Sequence, residues 1–369
     1  MPSNITLTVA GHTHNDWLRY SIDSDFFAPA DAWQASLGIT TASLPGWLVP
    51  WAEVQVRHDD TLIMTGRIDG IRRTARKDGF ELELTGRDLA AVLLDCSAPL
   101  YVRRQATLPE LCRLCAAPLG VTMHDITPGE LPYRRITVEP GMSAWDAIQQ
   151  AAEGSGLWPW FTPDGILRIA APDYTRPVDA ELRLCAGTDA ARNNVLTLAV
   201  EEDISRRYSE ITVLGQSCGD ELEEARTTIR ASARDSGAAY KRPCIVDAGS
   251  CDTVAEARKL ARKRLADGIF ESLRISATVA GHVTSAGTLW EPGMRVHVYA
   301  PPLAVERDMM LTRRTFRGGR EGTFTDLQLK PWGVWLPDTS KGGRAGKDEE
   351  EELDLGIDWF QSTVAPSAD

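Results

Sequence analysis

Cysteine, histidine and arginine are the side chains here whose spacing invites a chemical reading. Cys112 and Cys115 have the CxxC spacing of a zinc or dithiol site. No second CxxC or His pair accompanies them, and they fall on a predicted helix, so small buried thiols are the adopted reading. The seven cysteines are expected to be reduced. The six histidines are scattered. His12 and His282 close two copies of one pentapeptide, which points to a turn or strand-end role rather than to catalysis. His14 and Asp16 near His12 suggest a metal site, but the second copy offers Thr284 and Ala286 there. There is no GxSxG, HExxH, P-loop or dinucleotide fingerprint. No metal, no cofactor and no enzyme activity are expected.

The arginines are more informative. Arg72, Arg73, Arg76 and Lys77 recur as Arg313, Arg314, Arg317 and Arg320, at spacings of 241, 241, 241 and 243 residues. They form either a solvated hairpin face that protects sheet edges or two equivalent basic projections that dock on acidic surfaces of neighbouring subunits. Trp145, Trp158, Trp160 and Phe161 crowd the middle of the chain. They fill a small core, or they stack on sugar rings as a cell-wall-binding module. Trp359 and Phe360 sit in an acidic terminus, which is either solvated or a docking peptide anchored by these two rings.

The elements that must position these residues are read from a repeat. TVAGH occurs at 8–12 and at 278–282. WAEVQVRH (51–58), LIMTGRI (62–68) and GFELELTGRD (79–88) are answered by GMRVHVY (293–299), DMMLTRR (308–314) and GTFTDLQLK (322–330). The spacing is 270 at Thr8 and Thr278 but 242 at Val54 and Val296, which assigns the first copy an insertion of 28 residues. Alternating residues predict strands in both copies, Asp78-Gly79 predicts a hairpin, and Phe324, off the phase of Leu327 and Leu329, predicts a bulge. Within the insertion, 17–23 reads as a strand and 29–37 as a short helix.

Between the copies, 108–116, 144–153 and 253–270 read as helices and 158–161 with 166–170 as a hairpin. The segment 173–205 is poorly patterned, and a strand at 210–214 precedes a polar stretch. The fold class is α+β, mainly β. It comprises a first β-barrel (1–99), a small α+β domain (100–172), a bridge (173–250), a second β-barrel (251–336) and a disordered acidic tail (337–369). Its net charge of −12 includes eight acids in residues 348–369, so the body is near −4 and general nucleic-acid binding is not expected. No apolar run suits a membrane helix and no signal peptide is visible, so membrane insertion is not expected.

Two diverged β-domains flanking a helix-and-strand unit, the turn-strand at 292–298 and the late basic helix together resemble the tail-hub proteins (late control D type) of Mu-like contractile phages and related tail-like particles. The resemblance covers roughly residues 3–335. It implies a homotrimer in which three chains present six similar β units, a structural virion protein located in the tail baseplate and assembled in the host cytoplasm. The implied partners are the tail tube protein, a central spike and other baseplate proteins, with DNA passing through the channel without specific binding. Rival readings are a cell-wall-binding or cell-wall-cleaving protein and an assembly chaperone acting through the acidic tail.

Overall fold

Period-two burial marks the strands, and thirteen of them join one sheet in this computed structural model, which describes residues 5–39, 45–77, 79–99, 101–122, 124–127, 134–216, 228–248, 251 and 253–339. Numbered in chain order within that sheet, they are β1 (Ile5–Val9), β2 (His12–His14), β3 (Arg19–Asp25), β4 (Ala32–Ile39), β5 (Glu53–His58), β6 (Thr61–Arg76) and β7 (Gly79–Asp88). The later strands are β8 (Ala180–Arg183), β9 (Thr197–Glu202), β10 (Leu273–Ala280), β11 (Arg295–Ala300), β12 (Val305–Gly319) and β13 (Gly322–Pro331). Their order is β9-β10-β13-β12-β3-β4-β7-β6-β5-β1-β2. β11 runs beside the first half of β12, and β8 lies parallel to β11.

The two expected barrels are therefore not closed. The reason is strand length. β6 and β12 have 16 and 15 residues, whereas their partners β5 and β11 have 6 each. Each long strand overruns its partner and leaves a second half with an open edge. β3 takes that edge on β12, pairing Arg313 with Asp25 through Gly319 with Arg19. One core then spans both units, with Ile22, Trp33, Val56 and Leu84 packed in the same cluster as Ile275, Val298, Phe316 and Leu329.

Hydrogen-bond register locates the repeat differently from the pentapeptide. Ala35 pairs with Leu84, and Ala277 with Leu327. Val54 pairs with Gly66, and Val296 with Met309. Both long strands carry a bulge, at Asp69 and at Thr312. β4 and β5 thus correspond to β10 and β11 at a spacing of 242, and β6 and β7 to β12 and β13 at 243. There is no 28-residue insertion. The TVAGH strands are not counterparts, because β1 lies beside β5 whereas β10 lies beside β13.

Other expectations are corrected in the same way. The predicted helix at 29–37 is largely β4, whose Trp33, Ala35 and Leu37, at alternate positions, pack in the core cluster. Pairing on both sides overrides its indifferent propensity. Phe324 makes no bulge: β13 pairs regularly with β10, Thr325 takes the core position, and the irregularity lies in β12. The unpatterned segment 173–205 supplies β8 and β9.

Three of the four α-helices among the described residues fall where caps predict them; the fourth, the single turn Ala91–Asp95, has no side-chain cap and no counterpart among the predicted helices. α1 (Leu108–Cys115) starts at Thr107 with a reciprocal capping box, and α2 (Ala144–Gly154) starts at Ser143, whose hydroxyl accepts from Asp146 N. Both pack with the hairpin Trp158–Phe161 and Leu167–Ala170. α3 (Val254–Glu271) buries Ala257, Leu260, Ala261 and Leu265 against Ile211 and Val213. Those two residues belong to a separate sheet of Glu210–Gln216, Thr228–Arg234 and Pro243–Asp247. The predicted polar stretch thus holds two strands, and α3 covers that sheet rather than the second β unit alone.

Candidate functional site

The place where the two repeats join within one chain is the best-defined interaction surface. β3 is acidic on the face that meets β12. Arg313 donates to both carboxylate oxygens of Asp23, from Nε at 2.9 Å and from Nη2 at 2.7 Å. The Thr315 hydroxyl donates to the same carboxylate at 2.6 Å. On the opposite face Phe316 is fully buried beside Ile22 and Tyr20. Gly318 is required here: a Cβ at that position would lie 2.4 Å from the Tyr20 ring.

A buried relay crosses the joint. Thr325 donates its hydroxyl proton to Gly281 O at 2.6 Å, so at 3.0 Å it accepts from His282 Nδ1. His282 Nε2 is then the acceptor for the Tyr20 hydroxyl at 2.7 Å. This arrangement needs a neutral imidazole with its proton on Nδ1. Burial, with His58 and Arg314 nearby, holds the His282 pKa down to about 3.

Arg314 is buried too, donating to Ile22 O at 3.2 Å with its guanidinium 4.0 Å from the Phe316 ring centre. It borders a cavity of about 780 Å³ between the sheet and the middle unit, also lined by Asp31 and Asp88. Burial pushes Asp31 up to about 6 against the pull of Arg314. Burial and the neighbouring Asp31 carboxyl raise Asp88 as well. The cavity wall thus sets one buried guanidinium beside two carboxyls that burial biases toward their neutral forms.

The predicted quartets are not brought into register. Arg313 and Arg314 are the counterparts of Gly70 and Ile71, two positions from the residues they were matched with. Arg72 lies 4.0 Å from Glu83, and Arg76 donates to Glu81 at 2.9 Å. Arg317 holds Asp326 at 2.6 Å and 3.2 Å. Arg73, Lys77 and Arg320 are exposed. Trp359 and Phe360 lie outside the described residues. Sequence reasoning missed Tyr20, Asp23 and Gly318. The charge match between 19–25 and 313–319 was the signal available.

His12 and His282 differ as well: exposed His12 stacks on Trp47 with centroids 4.4 Å apart. In the middle unit Trp145 and Trp158 are buried, and Trp158 Nε1 donates to Phe26 O at 3.0 Å. Phe26, Phe27, Phe270 and Trp335 complete this aromatic contact between units. Cys112 and Cys115 are buried thiols raised by burial to about 12 and about 11, so neither is a ready thiolate.

Four family descriptions match successive parts of the chain. They are Mu phage baseplate assembly protein GpP-like, N-terminal (4–88), Baseplate hub protein gp44-like, second domain (90–171), Tail protein NMB1110-like, third domain (207–265), and Tail protein, C-terminal domain (267–334). The chain is 25% identical to the baseplate hub protein gp44 of Escherichia phage Mu, over 97% of this chain and 96% of that protein. The crystal structure of the tail protein from Neisseria meningitidis MC58 is 35% identical, with a TM-score of 0.77 over 91% of this chain and 98% of that one. The 43 kDa tail protein of prophage MuSo2 from Shewanella oneidensis has the same fold, with a TM-score of 0.77 at 19% identity, over 92% and 99% of the two chains. A repeated β unit joined across an acid–base strand pair, in a chain matched almost end to end by phage tail proteins, belongs to the Mu-like baseplate hub family of structural tail proteins.

Proposed function

We propose that three copies of this chain form a ring that adapts the six-fold tail tube to a three-fold central spike. The observation that carries this is the constant spacing of 242 or 243 residues through four paired strands of each unit. Two equivalent units per chain let a closed three-fold oligomer present six similar surfaces. The tube protein, the spike and other baseplate proteins are its partners, and assembly takes place in the host cytoplasm.

DNA crosses the channel without specific binding, and the arginine quartets lie off the lumen, where phosphate attraction would otherwise hold the genome. In-chain carboxylates opposite Arg76, Arg313 and Arg317 support that placement. Trp359 and Phe360 anchor the acidic tail to another baseplate protein. The four matched segments support a division into a first β unit, a middle unit, a bridge and a second β unit. Burial of Trp145 and Trp158 leaves the cell-wall reading little exposed aromatic surface, so the hub reading is favoured. Light scattering on the purified chain, with negative-stain images of the chain bound to tube protein, tests the proposal. Three-fold rings with six-fold-like outer density are expected. A stable monomer or dimer in both measurements overturns it.

A further inference from the structure

The two repeats are flanked alike in sequence but not in contacts. β3 precedes β4 and pairs with it, and β9 holds the same position beside β10. Ile22 faces Trp33 as Val200 faces Ile275, so β9 corresponds to β3 at a spacing of 178. On that spacing Tyr20 matches Leu198, Asp23 matches Glu201 and Asp25 matches Asp203. The outer edge of β3 is filled by the second half of β12. Among the described residues β9 pairs only with β10, and the second half of β6, 70–76, pairs only with β7.

We propose that β9 of one copy adds antiparallel to the open half of β6 of a second copy, repeating between chains the joint that β3 and β12 make within one. The reading rests on the ring for the partner's identity. Transferring the register sets Arg72 opposite Glu201, Thr74 opposite Ala199 and Arg76 opposite Thr197. Burial agrees with a missing cover. Tyr20 and Ile22 are buried, whereas their counterparts Leu198 and Val200 are only partly so.

Charge agrees as well. The open β6 edge carries Arg72, Arg73 and Arg76, and the β9 edge carries Glu201 and Glu202 with Asp203 beyond. Each edge repels its own kind and attracts the other. The contact is therefore heterologous, the type that closes rings when the rotation allows. Glu201 already accepts two bonds from Arg274, both on Oε2, which leaves Oε1 placed to accept from Arg72. These edges lack the bulge or proline that would blunt strand addition along 70–76.

Thr74→Cys/Ala199→Cys in the full chain tests the register. Opposed Cβ atoms in an antiparallel pair lie about 4.5–5.5 Å apart, within small adjustment of a disulfide. Mild oxidation is expected to give covalent dimers and trimers on non-reducing gels that collapse on reduction. The wild-type chain and Thr74→Cys/Glu201→Cys, shifted by two positions on the same face, are expected to give none. A trimer by light scattering without the in-register cross-link, or with the shifted one, overturns the strand joint and leaves the ring reading standing. A chain that stays monomeric both alone and with tube protein overturns both.

Discussion

His282 links the joint to pH. Its folded pKa of about 3 lies below the 6.5 of an exposed histidine, so only the unfolded chain binds the proton between those values. The stabilisation from its relay is complete above pH 6.5 and is lost as pH falls toward 3. Asp31 acts with opposite sign, because a carboxyl raised to about 6 favours the folded state at lower pH. Comparison with His282→Gln isolates the histidine. In urea unfolding the stability advantage of wild type over the variant is expected to shrink by roughly 1.4 kcal/mol per pH unit below 6.5. A pH-independent difference would contradict a neutral buried imidazole. Gly318 and Arg313 let two effects be ranked. Arg313→Ala removes a partly exposed ion pair and is expected to cost about 1 kcal/mol or less. Gly318→Ala forces a methyl group against the Tyr20 ring and is expected to cost about 1–3 kcal/mol. Thermal melts showing the reverse order would assign the joint to charge rather than close packing.

Elements were legible where the local chain carries its own stop and start signals. Thr107, Ser143 and Thr253 each accept from a backbone N–H three residues on, and all three helices lie within a residue or two of their predicted limits. Thr107→Ala is expected to lower the unfolding free energy by about 1 kcal/mol, read in denaturant titration. Strand identity was harder. The short strand β8 pairs in parallel with a segment more than a hundred residues away, and nothing local marks it. Register was hardest. A slip of one residue reverses inward and outward faces, but a slip of two preserves them, so alternation cannot detect it. That is why the arginine quartets matched convincingly at 241 while the hydrogen bonds align at 243. It is also why TVAGH, which fits any β strand ending in a Gly turn, tied β1 to the wrong counterpart.

At the scale of the whole molecule, the repeat and its family were readable from the chain, whereas the edge-to-edge joining of the two units was not. Joining depends on how far β6 and β12 outrun their partners, a length that hydrophobic patterning leaves open. Removing residues 340–369 is expected to leave the melting temperature and the number of chains per particle of the isolated protein unchanged, since every strand of the sheet among the described residues lies before them. A change in oligomer mass would give the tail a part in assembly. Buried Arg314 carries a consequence for the gene. Its guanidinium comes from the second unit, while the carbonyl of Ile22 and the charge of Asp31 that compensate it come from the first. Asp23 of the first unit and Glu291 of the second add to the same field, so the balance of charge at Arg314 is shared across the joint. A substitution at Ile22 or Asp31 is therefore felt at a residue encoded some 292 codons downstream, and selection acts on the two units together.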